Sequence, residues 1–359
     1  MKVRLNKTLD HLIYSEYRQP EGAMSLFRIV YSSFIIFIVG VPQFRWISDY
    51  PNYFYEPPKL SLAALFSGFP SFTFLLVIDI LLVGLFVLLL FGFYTRVVSI
   101  SIFLLLIIGH SFYYSFGKIN HDTLLMTYVP LAMAFSNWGR HFSLDHQRLG
   151  STRNSNERHW PILLLAILLG FGMFSAGVSK LVGGWLDPTV QTVKNFVITL
   201  HYYDNFPERF IQPYLIGYDN WLFWEAMDFT AVIFEIGFLL AVIKQKLFRI
   251  FIIIAITFHT INVLIFSISF VNNLALYLLF IDWDKILAKF VTLRLNRFVK
   301  LSFLLPVLVV VLVGYIINFP VNFMALANAV GVHFLTSSLI ICGLAVVLFS
   351  VNYLKSWSD

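Results

Sequence analysis

The side chains able to do chemistry in this chain are few, and most stand in oily surroundings. Asp79, His110, His121 with Asp122, Lys180, Asp228, Glu235, His259 and His333 all lie in or at the edge of long apolar runs. A charge near the centre of a bilayer costs about 2.5–3.5 kcal/mol on insertion scales, so each such group needs a polar partner or a function. Asp79 and His110 read as interhelical hydrogen-bonding groups, and His333 lies near a helix end where water reaches it. Asp228 and Glu235 are seven residues apart and share a helix face. Glu235 is deep enough to need a partner, and pairing with Arg or His is as open as chemistry.

Lys180 stands at the end of FSAGVSKLVGGW, directly after PILLLAILLGFGM. An amine acts as a general base only when neutral near pH 7, and desolvation disfavours the ammonium. His121 opens KINHDTLLMTYVP, with Pro130 breaking the backbone ladder further in, and His259 lies in FHTINVLIFSISF with Asn262 one turn beyond. The expectation is that His121, Lys180, His259 and Asn262 meet at one level, from three helices, with proton abstraction as their chemistry. Gly172, Ala176 and Gly177 leave room for a flat ligand to approach the backbone, though small residues serve helix packing as well. No HxxH, HxxxH or HExxH occurs, so no metal is expected. GxSxG elbows and Gly-rich phosphate loops are missing too. A single cysteine, Cys342, rules out an internal disulfide.

The elements that must position these groups follow from composition. Of 359 residues, 59% are hydrophobic and 12% charged, and the mean hydropathy is +0.80. That balance belongs to a polytopic membrane protein. The runs lack strict alternation, which selects helices over a barrel. About ten transmembrane helices (eight to ten) are predicted, near 21–41, 70–93, 97–117, 121–137, 161–178, 225–243, 248–267, 270–282, 301–318 and 329–351. The eighth is short and partly re-entrant. With both termini cytoplasmic, the outer segments hold only Arg45, Lys59, Lys118, Lys180, Lys194 and Arg209 of the 25 Lys and Arg, in keeping with the positive-inside rule. The formal charge of +6 is thereby assigned to inner loops and not to nucleic acid. The polar N-terminus is too long for a cleavable signal peptide. The two long outer segments, 42–69 and 179–224, are rich in aromatics and prolines. The fold class expected is an all-α polytopic bundle, 1–359 forming one membrane domain with no soluble C-terminal domain.

Five stretches carry a family resemblance: MSLFRIVYSSF, FGFYTRVVSISIFLLL, NHDTLLMTYVPLAMAFSNWGRHFSLD, MFSAGVSKLVGGW, and FHTIN followed by FSI. In order and spacing they resemble the vitamin K-dependent γ-glutamyl carboxylases and their bacterial relatives, the horizontally transferred transmembrane (HTTM) family. The resemblance covers a core of about 20–283, with two further helices over 301–351. It implies a lyase in which a lysine deprotonates reduced vitamin K (a menaquinol-type quinone) and oxygen turns that anion into a stronger base. The stronger base removes a glutamate γ-proton, and the carbanion takes up CO2. On this resemblance Lys180 and His121 are catalytic, and Asn120, Gly177, Ser179, His259 and Asn262 are cofactor-binding. It also implies a bacterial inner-membrane location, a site facing the outer side, and lipids, quinone and a secreted peptide, protein or small molecule as partners. Two departures stand out. Ser179 replaces the first of two adjacent lysines, and Val182-Gly183-Gly184 replaces an acidic stretch. With the soluble C-terminal region absent, these bear on recognition of a Glu-rich protein. Two rival readings are a non-carboxylating factor for maturation or export of a secreted peptide, and a quinone- or lipid-binding membrane protein without catalysis.

Overall fold

The computed structural model describes residues 10–117, 119, 121–149, 158–203, 209–284, 286–287 and 300–357. Its main helices are α1 (Ala23–Ser33, continued as a π-helix over Phe34–Val39), α2 (Phe72–Phe91), α3 (Thr95–Tyr113), α4 (His121–Met133), α5 (Leu144–Leu149) and α6 (Trp160–Val182). They are followed by α7 (Thr192–Tyr203), α8 (Trp221–Ala241), α9 (Gln245–Phe266), α10 (Leu301–Ile316), α11 (Phe323–Ala329) and α12 (Phe334–Trp357). Among the described residues there is no strand, only an isolated bridge between Glu56 and Phe116. The chain is all-helical, as its composition leads one to expect.

By length and composition, α2, α3, α6, α9 and α12 can each cross a membrane. Helix α8 has comparable length, with 21 residues, but carries Glu225, Asp228 and Glu235. Large apolar side chains face outward, among them Val77 and Leu81 on α2, Val310 on α10, and Leu344, Val347 and Leu348 on α12. Water would leave so much apolar surface exposed at a cost, whereas lipid would not.

The chain divides into two compact units. The first takes 1–17, 163–281 and 330–359. Within it α9 packs along α12, and Val193, Val197 and Leu200 of α7 bury against Trp224 of α8 and Ile265 and Phe266 of α9. Tyr17 ties the N-terminal segment in by donating to the Val242 carbonyl at 2.7 Å. After α9 the chain forms one short apolar helix, Val271–Phe280, with 3-10 turns at both ends of a single α turn, where the sequence suggests a short helix.

The second unit takes 18–162 and 282–329, with α2 packed against α1, α3 and α10. Some buried polar groups here find backbone partners. Arg28, fully buried, donates to the carbonyls of Trp138 at 3.1 Å and Phe142 at 2.5 Å. Asp145 caps α3, accepting from the backbone of Tyr94 at 2.9 Å and of Thr95 at 2.7 Å. Such capping satisfies amides that a helix start leaves open.

Candidate active site

The site is built where α6 ends against α8, inside the first unit. Gly170 and Gly177 are seven apart, two turns along one face of α6. A Cβ on Gly177 would stand 2.9 Å from the Ile236 backbone nitrogen and 2.9 Å from the Glu235 Cβ. One on Gly170 would stand 3.2 Å from the Leu239 Cα. Bare glycine thus lets the two helices touch along their backbones, the usual role of small residues between membrane helices.

That approach delivers Glu235 to Lys180. The Lys180 Nζ donates to Glu235 Oε1 at 2.6 Å and to Oε2 at 2.5 Å. Side-chain exposure is 22% for the lysine and 5% for the glutamate, so the amine keeps an open side and the carboxylate does not. The remainder of the motif explains itself at the helix end. Gly184 adopts φ +80°, its N–H reaches the Leu181 carbonyl at 3.3 Å, and the Trp185 N–H reaches the Lys180 carbonyl at 3.2 Å. This is a Schellman ending, which needs a left-handed residue that glycine supplies. It folds Trp185 back, placing Nζ 5.3 Å from the centre of the indole ring, within reach of a cation–π contact.

Asp228, two turns before Glu235 on α8, does different work. Its carboxylate accepts the backbone N–H groups of Thr192 and Val193, each at 2.9 Å. Those are orphan donors of the first turn of α7, so Asp228 is a capping group supplied by a neighbouring helix.

His259 and Asn262 lie on α9 in the same unit, 4% and 7% exposed. The His259 Nε2 is 2.9 Å from the Tyr277 hydroxyl, and its ring stacks on Phe270 at 4.4 Å. The Asn262 carbonyl accepts the Ile268 N–H at 3.4 Å where α9 ends. Ser179 donates its hydroxyl to the Ser175 carbonyl at 3.0 Å and is exposed. His121 opens α4, in the second unit. Its side chain and Asn120 lie outside the described residues; among the described site candidates, Lys180 and Glu235 are brought into contact.

The flat ring expected from the sequence would have to lie beside residues already packed. Gly177 is filled against α8, and His259 is enclosed by Phe270 and Tyr277. For the amine to take a proton from a substrate, its own proton must already have moved, and Glu235 is the group in contact to receive it. The sequence flagged Glu235 as needing a partner, an Arg or His if structural, and the structure supplies Lys180 instead; the sequence gave Trp185 no role. The paired glycine before Trp185 is the signal that could have found the latter.

Comparison with family models, curated proteins and solved structures gives no match. Fold and site together define an all-helical chain, with helices fit to cross a membrane and a lysine–glutamate pair where one of them ends.

Proposed function

We propose that the protein is a multi-pass membrane enzyme of the carboxylase-like HTTM type, with about ten spans and both termini cytoplasmic. It modifies a peptide or small substrate at the outer face of a bacterial inner membrane. Lys180 is its acid–base residue and Glu235 the proton partner that frees the amine. The single observation carrying this reading is the Lys180–Glu235 pair itself: a half-open amine, a closed carboxylate, and no intervening atom. General acid–base groups must stand within hydrogen-bond reach of the proton they move, and this pair does so before any substrate arrives. A reduced quinone is the co-substrate that the sequence resemblance implies. Lys180 would take the proton of the quinol hydroxyl, and the ring would lie away from Gly177 and His259, which are filled by packing.

A second reading rests on the Gly177 contact. There the ion pair is a clip between α6 and α8 in a non-catalytic factor for maturation or export of a secreted peptide. Purified protein in lipid nanodiscs, supplied with menaquinol and oxygen, separates the two. Conversion of the quinol to its epoxide is expected from the enzyme. Protein that is folded and monodisperse yet leaves the quinol unchanged would favour the clip.

A further inference from the structure

The second unit contains a cavity of about 260 Å³ that no acid–base chemistry claims. Its floor is aliphatic, formed by Ile36 at the end of α1, Val83 on α2 and Val311 on α10, all buried. The rim is made of carboxamides: Gln43, Asn318, Asn322 and Asn328. None of the described residues lining it is ionised at neutral pH.

The walls are fixed in advance. Asp79, fully buried on α2, accepts the backbone N–H groups of Phe44 at 2.8 Å and Arg45 at 3.2 Å, holding the 41–49 segment in place. Arg45 in turn donates to Asn318 Oδ1 at 2.7 Å and lies over the Tyr315 ring, 4.8 Å from its centre. Asn318 sits at φ +54°, a left-handed conformation that asparagine tolerates. Asn322 accepts the Ala325 N–H at 2.8 Å, which starts α11 and orients its own amide. A rim ordered by contacts behind it loses little freedom when a ligand binds.

We propose that this cavity binds the headgroup and glycerol region of an uncharged, hydroxyl-bearing membrane lipid, such as a glycosyl diacylglycerol. Carboxamides both donate and accept, which matches hydroxyl groups. The cation at the rim, Arg45, is offset by the Asp79 carboxylate and turns its guanidinium onto Asn318 Oδ1 and the Tyr315 ring. A phosphate here would compete with that carboxylate for one guanidinium, whereas a hydroxyl-bearing headgroup needs no counterion. The aliphatic floor takes the glycerol carbons, and Ile317, Phe319 and Leu326, all exposed beside the mouth, offer a path for acyl chains. The site is separate from Lys180, and its test is independent of any catalytic reading.

The experiment uses the full chain in nanodiscs of phosphatidylcholine doped in turn with a glycosyl diacylglycerol or with phosphatidylglycerol. Lipid retained by the protein is counted by native mass spectrometry, and the free sugar headgroup serves as a soluble competitor. Preferential retention of the glycosyl lipid is expected, with weak competition by the free headgroup. Ala325→Trp, which fills the cavity, should abolish the preference. Gln43→Leu with Asn328→Leu, which removes two rim amides, should weaken it about 30-fold. Unchanged melting and helix content confirm that each variant is folded. Equal retention of all lipids, preference for phosphatidylglycerol, or full retention in both variants would overturn the proposal.

Discussion

Lys180 and Glu235 show how two groups that are each unfavourable in an apolar setting become acceptable in contact. Separately, each would leave a charge without a counterion, and together both carboxylate oxygens meet the amine at 2.5–2.6 Å. Breaking such a pair from one side leaves the other charge uncompensated, so Glu235→Gln should destabilise the protein by about 3 kcal/mol. The check is denaturation in detergent, extended to a double-mutant cycle with Lys180→Met. A clear coupling energy is expected, and purely additive effects would contradict a direct pair. The sequence made the need for a partner legible, because Glu235 sits mid-helix among apolar residues. It could not name that partner, which is 55 residues away on another helix. Only the depth of the α6–α8 contact decides it. Asn120 and the His121 side chain lie outside the described residues, and the pairing stands without them.

At the scale of elements, helix packing decides which glycines matter. Gly177→Ala should cost about 1–3 kcal/mol, since the new Cβ meets backbone that cannot step aside. Gly172 has nothing within 4 Å of where a Cβ would be, so Gly172→Ala should be neutral or stabilising by up to about 1 kcal/mol through helix propensity. Equal effects at the two sites, measured by thermal unfolding, would refute the packing argument. Asp228→Ala should cost about 1–2 kcal/mol as a lost cap, with hydrogen exchange accelerating at Thr192 and Val193 in particular. Long apolar helices were readable directly: 70–93 was expected and Phe72–Phe91 is found, because Ser71 and Gly92 bound a continuous apolar run. The last predicted helix, 329–351, was less so. It is α12, Phe334–Trp357, shifted by a few residues at both ends, and the short α11 before it, ended by Gly331 at φ +85°, was not read as a helix. Helix α7 was read as part of an outer loop, because its first-turn amides are capped by Asp228, which local sequence does not contain.

At the scale of the whole molecule, the division into two units was not legible. Each unit combines segments far apart in sequence, with 163–281 joined by 330–359 in one and 18–162 by 282–329 in the other. Hydrophobic periodicity reports what a helix buries, not which distant helix buries it. The proposed topology is carried by the distribution of basic residues, and it predicts that a reporter fused within residues 141–158 stays on the cytoplasmic side. Activity of a periplasmic reporter at that position would reverse the orientation and move Lys180 to the inner face.

The central claim is that Lys180 exchanges a proton, rather than only pairing with Glu235. Lys180→Arg tests it most directly, because arginine keeps the charge and the ion pair but stays protonated at any working pH. In nanodiscs with menaquinol and oxygen, epoxide formation by the variant should fall to background while its melting temperature stays near that of the unmodified protein. Wild-type turnover in the Lys180→Arg protein would contradict the account and leave Lys180 as a clip between two helices.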